Sequence, residues 1–424
     1  MNHEWSEKFY KRAQDVLVAG AGSSMRSLEQ VGGTPIYMLA GDGARITDHD
    51  ENVYLDYMGS NGPLILGHAH PQIVSAMKLS ATRGTTLGAN SGIEVKLAKK
   101  IVELMPSIKK LRFVNSETEA TTSAIRLARG VTGREKIILF AGSDHGNADP
   151  FLARYGADRG EAIRLGVPTG TAQETLIADY NDLEGVRKLF EKYEGQIAAV
   201  IVEPVAADMG VVPPVVGFLP GLRDLCSRHG ALLIFDEVTT GFRVAQGGAQ
   251  ALYGVAPDLT CLGKIIGGGL PVGAFGGSAE FMDQLEPLGT VAQRGAHSGN
   301  PMAMSVGLTV LDLLTESLYD GLEQKAARLE EGLREAAAKA RVDVQINRTG
   351  SMMSLFFADH AVWNLASARA VDVERYARFF HAMLEQAIYL PTSPWGAWFL
   401  SAAHTDEQVA ATIQVAGKAF KKAR

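Results

Sequence analysis

Between about residue 110 and residue 275 the chain alternates short apolar runs rich in β-branched residues with longer amphipathic stretches, and few folds accept that rhythm. Residues 111–114, 136–140, 198–202, 231–235 and 259–262 read as strands, with 272–275 as a further one. The helices between them are legible too. Asp182 stands as an N-cap before the stripe Leu183, Val186, Leu189, Phe190 and Tyr193. Residues 221–229 form a helical pattern that Gly230 stops, and the apolar run 231–235 follows at once. Runs this apolar, each followed by a helix, predict an α/β layer whose sheet is mostly parallel and covered by helices.

From about residue 311 the pattern becomes helix-rich, with helices at 322–341 and 373–386 flanking a strand at 352–357. This predicts a large domain over 56–310 and a smaller α+β domain over 311–424, which the N-terminal residues 1–55 join. Two Gly-rich polar stretches, 142–170 and 286–300, are long for connections in a compact fold, and such loops are often functional.

Composition narrows the function classes. With 46% hydrophobic and 21% charged residues and no apolar run long enough to cross a bilayer, no membrane role is expected. The N-terminus lacks a basic flank followed by an apolar stretch, so the cytoplasm is the expected compartment. Cys226 and Cys261 sit in no metal-type spacing. A formal charge of −6 without a basic cluster offers no footprint for nucleic acid, which leaves small molecules as the expected partners.

Two segments carry chemistry together. Ala231-Leu-Leu-Ile-Phe-Asp-Glu-Val238 suits a central strand that ends in Asp236 and Glu237, at the sheet edge where α/β folds bind ligands. An acid there often just caps the next helix. In Leu262-Gly-Lys-Ile-Ile-Gly-Gly-Gly-Leu-Pro-Val-Gly273 a single lysine, Lys264, follows a strand amid glycines. Alone it would read as a solvated turn lysine. With a strand-end carboxylate it matches what pyridoxal chemistry requires of a protein: an amine that forms a Schiff base, and an acid that keeps the pyridine nitrogen protonated. A third segment, Phe113-Val-Asn-Ser-Glu-Thr-Glu-Ala120, starts a helix. Ser116 and Glu119 fit a capping box, and the hydroxyls of Ser116 and Thr118 with the nearby amides suit a phosphate. The pair His68-Ala-His70 precedes Pro71 and reads as a structural turn, since no third metal ligand is indicated. No metal site is expected.

Taken together these segments resemble the fold-type I, class III aminotransferases that use pyridoxal 5′-phosphate (PLP), most closely the glutamate-1-semialdehyde aminomutase branch. The likeness also covers Val31-Gly-Gly-Thr-Pro-Ile, Asp56-Tyr-Met-Gly-Ser-Asn-Gly-Pro, Gly67-His-Ala-His-Pro71, Ile201-Val-Glu-Pro204, Phe235-Asp-Glu-Val-Thr-Thr-Gly-Phe-Arg243 and Ser298-Gly-Asn-Pro301. It implies a mostly parallel seven-stranded sheet with helices on both faces, and a homodimer with active sites at the subunit interface. It further implies that Lys264 is the Schiff-base lysine, Asp236 the partner of the pyridine nitrogen, Val238 the residue on one ring face and Glu203 a supporting carboxylate.

Departures from the family pattern are as informative. Ser116-Glu117-Thr118 replaces Ser-Gly-Thr, setting a carboxylate beside a dianion unless Glu117 turns outward. Asp144 replaces the stacking aromatic before His145-Gly146, Asp208 replaces a polar amide, and Ala296 replaces the threonine that reaches the phosphate from the neighbouring subunit. On the substrate side Arg26 matches the carboxylate-binding arginine, but Asn61 replaces a tryptophan and Gly396 a gating glutamate, with Trp395 and Trp398 crowding that segment. The expectation is a PLP-dependent aminotransferase acting on a small-molecule amino donor and a carbonyl acceptor. It includes weak cofactor retention and little turnover of glutamate-1-semialdehyde. The alternatives are an aminomutase, racemase or decarboxylase on the same cofactor, and a homologue that has lost it.

Overall fold

A computed structural model of the chain describes residues 1–152 and 166–424. The long stretch 142–170 therefore lies partly outside the described residues. The strands, in chain order, are β1 (Met38–Asp42), β2 (Arg45–Asp48), β3 (Val53–Asp56), β4 (Lys110–Val114), β5 (Lys136–Phe140), β6 (Thr175–Ala178) and β7 (Ile197–Val202). They continue with β8 (Leu232–Asp236), β9 (Leu259–Leu262), β10 (Gly273–Gly277), β11 (Gln345–Thr349), β12 (Met352–Phe356), β13 (Ile388–Tyr389) and β14 (Trp398–Phe399).

The chain forms two compact units, one of Met1–Pro71, Ser317–Val362 and Ala366–Arg424, the other of Gln72–Glu316 with Trp363–Leu365. The second unit is built on a seven-stranded sheet in the order β4-β10-β9-β8-β7-β5-β6. Strands β6, β5, β7, β8 and β9 run parallel to one another, and β10 runs antiparallel to both β9 and β4. The expected α/β sheet is thus borne out, with β6 as an edge strand the sequence pattern did not signal. Every residue of β7 and β8 is buried, as their unbroken apolar sequences require of strands covered on both faces.

The helix Glu117–Thr132 covers one side. Ala120, Ala124, Leu127 and Ala128 are buried in its apolar stripe against Ile137, Leu139, Ile201 and Ile234, and the small alanines let it lie close to the sheet. The helix Phe218–His229 ends at Gly230, whose left-handed φ of 64° turns the chain directly into β8. Asp182 caps its helix as expected, its side chain accepting from the Gly185 amide. Behind the sheet, the helix Pro301–Leu313 presses on the turn Lys264–Gly267. A Cβ on Gly307 would stand 2.1 Å from the carbonyl oxygen of Ile266.

The first unit holds a four-stranded sheet, β1-β2-β3-β13, and a three-stranded one, β11-β12-β14. The helices Glu316–Ala340, Val373–Leu384 and Asp406–Lys422 pack with them, and Phe379 stacks on Phe420 at 4.7 Å. Asp56, at the end of β3, bonds the Met58 and Gly59 amides and His68 Nε2 at 2.6 Å, so His68 serves the turn. No described helix is long and apolar enough to cross a membrane.

Because Gly307 seats the turn that carries Lys264, Gly307→Ala is expected to destabilise the protein by about 1–3 kcal/mol through overpacking. Urea unfolding checks it. An unchanged midpoint would show that the helix can move away without cost.

Candidate active site

Period-two alternation at the end of β8 sends two consecutive carboxylates to different tasks. Glu237 is fully buried and accepts from the Ala249 and Gln250 amides, the Gln250 side chain and the Thr240 hydroxyl. It anchors the helix Gly248–Tyr253, whose first amides it satisfies. Burial raises its pKa above the ordinary carboxylate value. Asp236, also buried, instead binds His145 Nδ1 through Oδ2 at 2.7 Å, and its Oδ1 accepts from the Val238 amide at 3.1 Å. The His145 Nε2 is buried without a partner.

Lys264 opens the short turn after β9 with φ 45°, a left-handed conformation that costs a non-glycine residue about 1–3 kcal/mol. Its Nζ donates to the Thr239 hydroxyl at 2.8 Å. Val238 is buried against the same turn, since a Cβ on Gly263 would come within 3.1 Å of Val238 Cγ1. Thr239 is the residue that sequence reasoning missed. Its one signal was a hydroxyl three positions beyond the strand-end aspartate.

The helix start at residue 117 supplies the third part. Ser116 Oγ accepts from the Glu119 amide at 3.2 Å, while the Glu119 carboxylate reaches back to the Asn115 amide at 2.7 Å. The expected capping box is therefore displaced by one residue, its return bond falling on Asn115 because the acid overshoots the cap. Thr118 Oγ1 accepts from the Asn147 amide at 3.3 Å, and only a glycine fits at 146, where a Cβ would stand 2.2 Å from that hydroxyl. Glu117 is half-buried, and the charges of Lys264, Asp236, Asp208 and Asp144 act on it. Burial first, and then the neighbouring acids, push its pKa up to about 7 against the opposing pull of Lys264.

Asp144 does not replace the missing aromatic with another ring contact. Its Oδ1 accepts from the Gly146 amide and its own amide donates to Glu203 Oε1, both at 3.0 Å. Glu203 is buried and also accepts from the Ala207 amide, so it ties two loops at the sheet edge. Burial, followed by Asp208 and Asp236, raises its pKa well above the ordinary value. Asp208 and Ala296 are exposed. Ala296 follows Gly295, whose Cβ position lies 3.5 Å from Asn115 Nδ2.

The residues proposed for substrate belong to the first unit. Arg26 is exposed at the end of the turn Ser24–Arg26, and Asn61 adopts a left-handed φ of 64°. Trp398 is wholly buried, with its ring near Tyr57 and stacked with Phe379, so it serves the core and not a ligand surface. The large apolar ring is better buried than exposed, a preference that outweighs its neighbourhood in sequence. Gly396 is tightly enclosed, its Cβ position 2.4 Å from Pro391 Cβ.

The ring end of PLP is matched by this donor set: a buried, doubly bonded carboxylate, an apolar face at Val238 and a primary amine on a fixed turn. A phosphate at the helix start would meet the Ser116 and Thr118 hydroxyls, and also Glu117.

The family description "Aminotransferase class-III" matches residues 29–409. Curated relatives include the glutamate-1-semialdehyde 2,1-aminomutase of Desulforudis audaxviator, 50% identical with 99% of this chain and 98% of that protein covered. Another is glutamate-1-semialdehyde 2,1-aminomutase 2 of Brevibacillus brevis, 49% identical over the full length of both. Among solved structures, an omega-transaminase from Sphaerobacter thermophilus superposes with a TM-score of 0.92 at 32% identity, covering 99% of this chain and 98% of that one. A glutamate-1-semialdehyde aminomutase from Pseudomonas aeruginosa PAO1 gives 0.89 at 26%, covering 100% and 95%.

Three buried or half-buried carboxylates, Glu117, Glu203 and Glu237, have raised pKa values in the folded chain. The folded state then holds more protons than the unfolded one, so their contribution to stability is complete below the ordinary carboxylate range and is lost as pH rises. Cofactor-free protein is expected to be less stable to urea at pH 8 than at pH 5.5, and Glu203→Gln to reduce that difference. An unchanged pH slope in the variant would contradict the assignment to Glu203.

Proposed function

As the chain belongs to the class III aminotransferase family and uses pyridoxal 5′-phosphate, we propose that it moves an amino group between adjacent carbons of one small substrate, an aminomutase reaction. Identity near 50% over essentially the whole length of named aminomutases carries this reading. It reverses the order expected from sequence, in which transfer between two molecules came first. That second reading keeps one support, the closer structural match to an omega-transaminase than to the Pseudomonas aminomutase.

When bound, PLP supplies an electron sink for the carbon next to the reacting nitrogen. The remaining work falls to side chains. Asp236, oriented by His145 Nδ1 and the Val238 amide, holds a proton on the pyridine nitrogen. Val238 supports one ring face. Lys264 would hold the cofactor through Nζ, and its amine, once free, would serve as the base and acid that moves protons at the substrate carbon. The Thr239 hydroxyl gives the freed amine a resting partner at 2.8 Å, which limits its search for the substrate carbon. Ser116 and Thr118 hold the phosphate, and Glu203 fixes the loop at Asp144. Arg26 receives a substrate carboxylate. A homodimer in the cytoplasm, with Ala296 at the position that reaches the neighbouring subunit's site, completes the proposal.

The test supplies glutamate-1-semialdehyde to wild type and to Lys264→Ala, with amine donors and keto acids assayed in parallel. Formation of 5-aminolevulinate by the wild type alone is expected, together with borohydride-stable cofactor on the peptide that contains Lys264. Transfer from external amines without aminolevulinate would favour the transaminase reading and would assign the difference to Asn61 and Gly396. Stable cofactor on another lysine would overturn the site itself.

A further inference from the structure

We infer that the phosphate end of this site takes up a proton when the cofactor binds, and that Glu117 receives it. The inference rests on the PLP reading above and concerns a residue that this chain carries in place of the family's glycine.

Glu117 is held where it is by its neighbours. Before it, the backbone of Ser116 abuts β10, where a Cβ on Gly273 would come within 2.2 Å of the Ser116 carbonyl oxygen. After it, Thr118 is fixed by the Asn147 amide and by the close approach of Gly146. Glu117, half-buried, occupies the first helical position between these two fixed residues, at a helix start that also offers the hydroxyls suited to phosphate.

The charges acting on it come from four other elements: Lys264 from the turn after β9, Asp236 from the end of β8, Asp208 from the loop after β7 and Asp144 from the loop after β5. On its own helix, Glu119 is turned to the Asn115 amide and side chain. Three carboxylates and one ammonium therefore act on Glu117 from outside its helix. A phosphate dianion adds two negative charges to a cluster already dominated by acids. An ionised Glu117 repels that dianion and can only accept hydrogen bonds. Once protonated, it loses the repulsion and gains an O–H to donate to a phosphate oxygen.

The direction of the pH effect follows. Burial, with the neighbouring acids, pushes the Glu117 pKa up to about 7 before binding, and a phosphate beside it would raise it further, so binding would draw a proton from solution. Affinity is greatest below neutral pH and declines as pH rises through and above 7. The limiting slope for a single proton is roughly tenfold per pH unit.

Pyridoxamine 5′-phosphate is the suitable probe, because it has no aldehyde for Lys264 to capture. Calorimetric titration of the cofactor-free chain at pH 7.5, in two buffers of different ionisation heat, counts the protons taken up. Wild type is expected to take up roughly 0.5–0.8 proton per site more than Glu117→Gln. Between pH 6.5 and 8.5 the wild-type affinity should fall roughly twentyfold relative to that of the variant. Glu117→Gly should behave as Glu117→Gln does, which separates loss of the carboxyl from any fault of one replacement. Equal proton uptake in wild type and both variants would overturn the inference and leave the cofactor reading intact. Absence of binding in all three would overturn both.

Discussion

The bond between Asp236 and His145 is the constraint on which the site depends. At 2.7 Å and wholly buried, it holds a carboxylate at the carboxyl end of the central strand in one orientation, with the Val238 amide on its other oxygen. These two hydrogen bonds satisfy both oxygens of the buried carboxylate, which is otherwise costly to bury. Everything else is placed relative to this point. Val238 extends the strand end as an apolar surface, the Lys264 turn abuts Val238, and the 144–147 loop that delivers His145 also closes on Thr118. Glu237, one residue on, faces the other way and fixes a helix, so one dipeptide secures both the chemistry and its support.

Most of this second unit was legible from residue order. The unbroken apolar runs of β7 and β8 mark central strands, and Gly230 marks the helix end between them, because each feature is local and has few alternatives. Strand β6 was not legible: it lies at the sheet edge and follows a Gly- and Thr-containing polar stretch that reads as loop. The displaced capping box was missed for a related reason. Spacing announces that Ser116 and Glu119 meet, but which amide the acid reaches depends on how the chain enters the helix.

Within the site, the motif residues were identifiable because their chemistry is specific: a glycine-flanked lysine and a strand-end aspartate. Their partners were less visible. Thr239 is an ordinary hydroxyl in sequence, and only the path of the Lys264 turn brings it within 2.8 Å of the amine. Trp398 shows the opposite case, a conspicuous residue that three-dimensional packing assigns to the core. The acids at 117 and 144 were recognisable as departures, but their consequences differ. Asp144 is absorbed into its own loop through the Gly146 amide, whereas Glu117 remains in the field of Lys264 and Asp236.

The central claim is that Asp236 keeps the pyridine nitrogen of bound PLP protonated. Nitrogen NMR of the chain reconstituted with PLP labelled at the ring nitrogen tests it most directly. The account predicts a protonated nitrogen at neutral and mildly alkaline pH in the wild type, and its loss in Asp236→Ala. An unprotonated nitrogen in the wild type would contradict it.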